Sequence, residues 1–192
     1  MISRRQFIAT STAAATATTL PALAHAQAKQ PFVLDPQFEP QYVSIKKEFL
    51  PGQILILPRS HFLYFVTEER KAIRYGVGVG KAGLEFTGKA TIDVKKEWPT
   101  WRPTDEMIER NPKSYGRFKG NTDAMPGGPS NPLGARALYL FQNGKDTYFR
   151  IHGTTQPQSI GQSVSNGCIR MLNSHVTHLY DLVPIGTVVT VL

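Results

Sequence analysis

Apolar residues along most of this chain recur at every second position, the spacing of a half-buried strand rather than of a helix. Gln53-Ile-Leu-Ile-Leu57 is a short apolar run between Gly52 and Pro58. His61 to Val66 is rich in aromatics, and the charged tip Thr67 to Lys71 reads as a hairpin connection to Ala72 through Val79. Gly80 to Gly83 marks another turn, after which Lys89 to Glu97 sets Ala90, Ile92 and Val94 against polar neighbours. The pattern predicts a β-meander.

Trp98 to Pro103 stops the last of these strands. Thr104 is placed to cap a short helix over Asp105 to Arg110, whose acidic residues fall in its first turn. Asn111 to Leu133 is a long, polar, Gly/Pro-rich stretch. A loop of that length inside a compact domain is usually functional or mobile, so it is read as a lid or cleft wall. Ala137 to Phe141 and Asp146 to His152 follow as two strands joined around Asn143-Gly144, a strong hairpin signal. Asn173 or Ser174 is expected to cap a helix through about Val183, stopped by Pro184 and Gly186. Thr187 to Leu192 supplies a final β-branched strand. The expected fold class is mainly β, with one or two short helices.

Composition changes the picture first at the N-terminus. Ser3-Arg-Arg-Gln-Phe-Ile8 fits the twin-arginine export pattern, an Ala/Thr-rich run follows to Leu20, and Ala24-His-Ala26 offers a cleavage site. Residues 1–26 are therefore expected to be a signal peptide and not a transmembrane anchor, because the run falls short of the ~20 apolar residues a span needs. Residues 27–50, polar with scattered prolines, read as an extended lead-in, and residues 51–192 as one domain. Loss of the leader takes away Arg4 and Arg5 and lowers the formal charge from +8 to +6. A basic domain exported to the periplasm suits an acidic cell-wall polymer. Nucleic acid is disfavoured as a partner, since no Lys/Arg run interleaves with aromatics.

Candidate chemistry is concentrated between Ile151 and Met171, which holds the one cysteine of the chain, Cys168, and His152 sixteen positions before it. A single cysteine cannot form a disulfide within the chain, and the thiolate it yields is the nucleophile of acyl transfer when a base stands beside it. His152, at a strand end, is the candidate base. No Asp or Glu lies between the two residues to orient the imidazole, so the backbone carbonyl of Gly153 is the candidate for that role. The N–H groups of Gly167 and Cys168 are candidate oxyanion donors, and Arg170 is a candidate for binding a substrate carboxylate or holding the thiolate. Cys168, His152, His175 and His178 include the residue types of a tetrahedral metal site, but no CxxC or HExxH spacing supports one, so neither metal nor cofactor is expected.

His152-Gly-Thr154, Ser159-Ile-Gly161 and Ser165-Asn-Gly-Cys-Ile-Arg-Met171 together resemble the signature of the L,D-transpeptidase (YkuD-type) catalytic domain. Tyr75-Gly-Val-Gly-Val-Gly80, Glu97 to Pro103, Met125 to Gly128 and Asn131 to Ala137 are similar to its ErfK-like branch. The resemblance implies a β-sandwich with the cysteine at one end of the sheet, and a catalytic domain over residues 51–192. It implies peptidoglycan stem peptides as partners, Cys168 as nucleophile and His152 as base. It also implies Thr154, Ser165, Asn166 and Arg170 as substrate-side residues, with Asn166 standing where many members carry His or Ser. Cys168 would form a thioester with a tetrapeptide stem, release D-Ala, and pass the acyl group to an amine of another stem or of a wall-anchored protein. Hydrolysis of the same bond, as an L,D-carboxypeptidase or amidase, and a non-catalytic wall-binding module are the alternatives.

Overall fold

The computed structural model describes residues 32–192, which cluster as one compact unit; the leader expected over residues 1–26 lies outside them. Eleven strands and three short helices make up the described residues. The strands are β1 (Gln41–Ser44), β2 (Ile54–Leu57), β3 (Phe62–Glu68), β4 (Lys71–Gly76), β5 (Val79–Gly80) and β6 (Gly88–Glu97), then β7 (Arg136–Gln142), β8 (Lys145–His152), β9 (Ser163–Ser165), β10 (Ile169–Arg170) and β11 (Val188–Val191). The helices are α1 (Asp105–Arg110), α2 (Pro112–Tyr115) and α3 (Asn173–Leu182). Nine strands form one sheet in the order β1-β4-β3-β2-β11-β6-β7-β8-β10, and β5 pairs with β9 beside it.

The period-two pattern is the reason for this architecture. Ile54 and Ile56, Leu63 and Phe65, Ile73 and Tyr75, Ala90 and Ile92, Leu138 and Leu140, and Val189 and Val191 all enter one buried cluster. Alternate residues of a strand point to one face, so each strand delivers two side chains to the same core. Ile151 of β8, Ile169 of β10 and Val176 and Leu179 of α3 complete it. Each fully buried aliphatic side chain contributes about 1.5–3 kcal/mol of burial. β2 and β11 pair in parallel while most other neighbours are antiparallel, which brings the chain's last strand into the middle of the sheet.

Local signals act where they stand. The Thr104 hydroxyl accepts the Met107 N–H and caps α1. Asn143 and Gly144 take positive φ, 51° and 72°, at the β7–β8 turn.

Three expectations change. The lead-in is not merely draped over the domain: β1 pairs antiparallel with β4 as an edge strand, and Phe38 tilts against Phe62 with ring centroids 5.7 Å apart. Residues 111–133 are not an unstructured loop either, for α2 and a 3-10 turn (Gly116–Phe118) lie within them. Their order comes from a small core of their own, in which Trp101 meets Tyr115 and Phe118 edge-on, and from Arg102, which donates to the carbonyls of Pro103, Phe118 and Asn121. Third, α3 has Leu172 at its N-cap with no side-chain cap bond, so neither Asn173 nor Ser174 caps it. The Asn173 side chain is engaged elsewhere.

Candidate active site

His152 is the last residue of β8, and β10 lies parallel to β8 with Ile169 opposite Ile151 and Arg170 opposite His152. The two isoleucines go to the core. His152 and Arg170 therefore share the other face, and continuing the register one step places Cys168 beside Arg150 on that same face. Two residues of strand, roughly 6–7 Å, separate that level from His152. Cys168 and His152 line one cleft of about 1000 Å³, walled on the far side by Trp101, Pro103, Glu106, Arg110 and Tyr115. The stretch 111–133, read as a lid or cleft wall, lines this cleft through Tyr115, Met125, Ser130, Pro132 and Leu133. A smaller pocket of about 410 Å³, between Leu50–Gln53 and Pro184–Val188, carries no titratable side chain.

His152 is 4% exposed, and its Nδ1 hydrogen-bonds the Gly153 carbonyl. A carbonyl only accepts, so Nδ1 carries the proton and Nε2 keeps its lone pair. Burial dominates the titration of this imidazole and brings its pKa down to about 4; the Gly153 bond opposes the shift, and the charges of Arg170 and Arg150 add to it. The ring is neutral at neutral pH. Cys168 is partly exposed, with Sγ 3.8 Å from the Tyr148 carbonyl as its hydrogen-bond partner among the described residues. Burial pushes its thiol up, against the Arg150 backbone N–H and the charges of Arg150 and Arg170, which favour the thiolate. Burial disfavours the charged form of both groups, an arrangement suited to general-base activation rather than to a preformed ion pair.

The cysteine loop is held from within. Ser165, 1% exposed, donates its hydroxyl to the Cys168 carbonyl at 2.6 Å and accepts the Gly167 N–H at 3.1 Å. Ser165 thus braces the cysteine loop while also lining the cleft, and the Gly167 N–H, a candidate oxyanion donor, is held by the Ser165 hydroxyl oxygen. The Cys168 N–H has no partner among the described residues. Thr154, expected on the substrate side, is 5% exposed; its N–H and carbonyl bond the Asn173 amide and its hydroxyl accepts the Gln156 N–H. Asn166 is exposed at the cleft edge, and Arg170 lines the cleft with Nη1 3.0 Å from Gln156 Oε1.

Other residues of the site carried no local signal. Asp146 grips Arg150 through both oxygens at 2.7 Å and accepts the Tyr148 N–H at 2.8 Å, which holds Tyr148 at φ 61° and turns its carbonyl to the sulfur. An Asp–Arg pair four apart in a strand-like run gives no hint of such a kink; only the bulge in the β7–β8 register makes it. The other histidines among the described residues contact the scaffold. His61, expected inside a strand, precedes β3 with φ 58° and bonds Ser163 Oγ at 3.0 Å. His175 meets Glu39 at 3.2 Å and His178 meets the Tyr75 hydroxyl at 2.8 Å. Among the described residues no three His, Cys, Asp or Glu side chains are grouped as a metal would need.

The L,D-transpeptidase catalytic domain family, YkuD, matches residues 51–191. The L,D-transpeptidase ErfK/SrfK of Escherichia coli K12 is 30% identical over 155 residues, covering 80% of this chain and 47% of that protein, so the chain spans about half of that relative's length. A Brucella melitensis crystal structure named for a carnitine operon oxidoreductase is 59% identical, covers 80% of this chain and 93% of its own, and superposes with a TM-score of 0.56. Here Gly78-Val-Gly-Lys-Ala-Gly83 has the letters of a dinucleotide-binding fingerprint, but it leads from β5 through a loop into β6 and never into the helix that such a site needs. An L,D-transpeptidase structure from Mycobacterium smegmatis, 17% identical, shares the fold at a TM-score of 0.53 over 73% of this chain and 58% of its own.

Proposed function

Because this chain belongs to the L,D-transpeptidase catalytic-domain family, we propose that it is a cysteine-dependent L,D-transpeptidase acting on peptidoglycan stem peptides in the periplasm. The reading is carried by one observation: Cys168 and His152 line the same cleft from the same sheet face, with the Nδ1 proton of His152 held by the Gly153 carbonyl so that Nε2 keeps its lone pair.

In the acylation step the Cys168 thiol gives its proton to His152 Nε2 as Sγ attacks the carbonyl of the third stem residue. The Cys168 N–H supports the charge that develops on that oxygen. The C–N bond to D-Ala breaks, the amine takes the proton back from the imidazole, and a thioester remains. An amine from a second stem or a wall-anchored protein then attacks the thioester, loses its proton to His152, and returns Cys168 as a thiol. Arg170, positively charged and within the cleft, pairs with a stem carboxylate. Export by the twin-arginine leader over residues 1–26 brings the enzyme to its polymer.

The test is covalent labelling by a carbapenem-type β-lactam, an acyl-donor mimic, read by intact mass. Wild type is expected to gain one adduct and Cys168→Ala none; an adduct persisting in the variant would overturn the mechanism. His152→Ala is expected to acylate at least a hundredfold more slowly. Muropeptide analysis after incubation with tetrapeptide-rich wall identifies the acceptor. Crosslinked dimers support transfer, and loss of tetrapeptide without any dimer would replace it by hydrolysis.

A further inference from the structure

Asn173 stands at the start of α3, where it caps nothing. Its Oδ1 accepts the Ala135 N–H at 3.0 Å and the Thr154 N–H at 3.2 Å, and its Nδ2 donates to the Thr154 carbonyl at 3.3 Å. One amide thus ties together two segments that are eighteen or more positions apart in the chain. These are the segments that hold His152. The Gly153 carbonyl orients Nδ1, and the backbone of Leu133, on the other segment, also faces the ring. Space for the amide exists because Gly134 and Gly153 lack side chains: a Cβ on either would run into Asn173 Oδ1.

We propose that Asn173 is a positioning residue for His152, fixing the Nδ1–H tautomer and the ring's aim by locking Gly153 to the Leu133–Ala135 segment. The proposal rests on the reading of His152 as the base. Without the amide, Thr154 and Ala135 lose their shared acceptor, the Gly153 peptide is free to rotate, and Nδ1 loses its fixed carbonyl. The imidazole then divides between its two tautomers, and only the Nδ1–H form offers a lone pair at Nε2.

The experiment uses the full chain with 15N-labelled histidine. Two-dimensional NMR of the ring nitrogens reports the His152 tautomer, its signals assigned by their loss in His152→Gln. Wild type is expected to show Nδ1–H alone, Asn173→Ala a mixture, and Asn173→Asp, which keeps the shared acceptor, a spectrum closer to wild type. Carbapenem acylation of Asn173→Ala is expected to slow roughly tenfold or more, the scale of a small misplacement of a reacting group. A wild-type tautomer in Asn173→Ala would overturn the proposal even if its melting temperature fell, since a purely structural role moves only the latter. If His152→Ala acylates at the wild-type rate, the base assignment fails while the tautomer result still judges the positioning claim. Should Asn173→Ala not fold, Asn173→Ser carries the same measurement.

Discussion

Cys168 Sγ lies 3.8 Å from the carbonyl of Tyr148, and that carbonyl reaches it because Tyr148 is held at φ 61° by the Asp146 carboxylate. The acceptor is neutral and burial disfavours the thiolate, so these surroundings favour keeping the proton on sulfur.

A measurable consequence concerns thiol reactivity. Alkylation of Cys168 by iodoacetamide should rise with pH with a midpoint above that of a free cysteine, because burial raises the thiol pKa. Thiolate absorbance at 240 nm should be absent at pH 7. A plateau of reactivity reached below pH 7 would mean a preformed ion pair and would refute the neutral resting state.

Acid should act through His152. Its folded pKa of about 4 lies below the unfolded value of 6.5, so the unfolded chain binds the extra proton in between. The stability linked to this group is intact above about pH 6.5 and is lost progressively as pH falls toward 4, a total of about 3 kcal/mol. Denaturant melts of wild type and His152→Gln across that window should differ in slope, the variant being the flatter. Parallel slopes would show that the imidazole titrates normally in the folded protein.

Arg102 staples the cleft wall through three carbonyls. Arg102→Ala should speed proteolytic nicking within residues 111–125 by about tenfold, equivalent to ~1.4 kcal/mol of local stability. The sheet should remain resistant, because none of its ladder bonds depends on Arg102. The same variant should raise KM for stem peptide more than it lowers kcat.

Gly134 tests how tightly the histidine's surroundings are packed. It sits at φ 65°, and a Cβ there would lie 2.7 Å from the Gly153 carbonyl carbon and the Thr154 nitrogen. Gly134→Ala should cost roughly 2–4 kcal/mol, since backbone cannot yield as a side-chain tip does. Gly120→Ala, also at positive φ but with open space around it, should cost about 1 kcal/mol and serves as the control.

What could be read directly were the features decided by neighbours in the chain. Strand alternation is local, because each Cβ points opposite to the next; hence β6, β7 and β8 fall where the apolar pattern sets them. Thr104 capping Met107 and the turn at Asn143-Gly144 need only three or four residues to form. The pairing of one lone cysteine with an upstream histidine followed from chemistry and spacing alone.

The tertiary structure decided everything that depends on which segments meet. Asn173 read as a helix cap because Asn before an apolar-periodic run usually is one; its amide is instead claimed by two distant backbone segments. That Ser165 holds the Cys168 carbonyl and the Gly167 N–H as well as lining the cleft emerges only once the loop is folded. The edge strand β1 was hidden by the prolines and polar residues that flank it, since an edge needs only backbone groups to pair. Sequence alone pointed to Cys168 and His152 as candidates. The parallel β8–β10 register, a contact between residues about twenty apart, decided that both open onto one cleft.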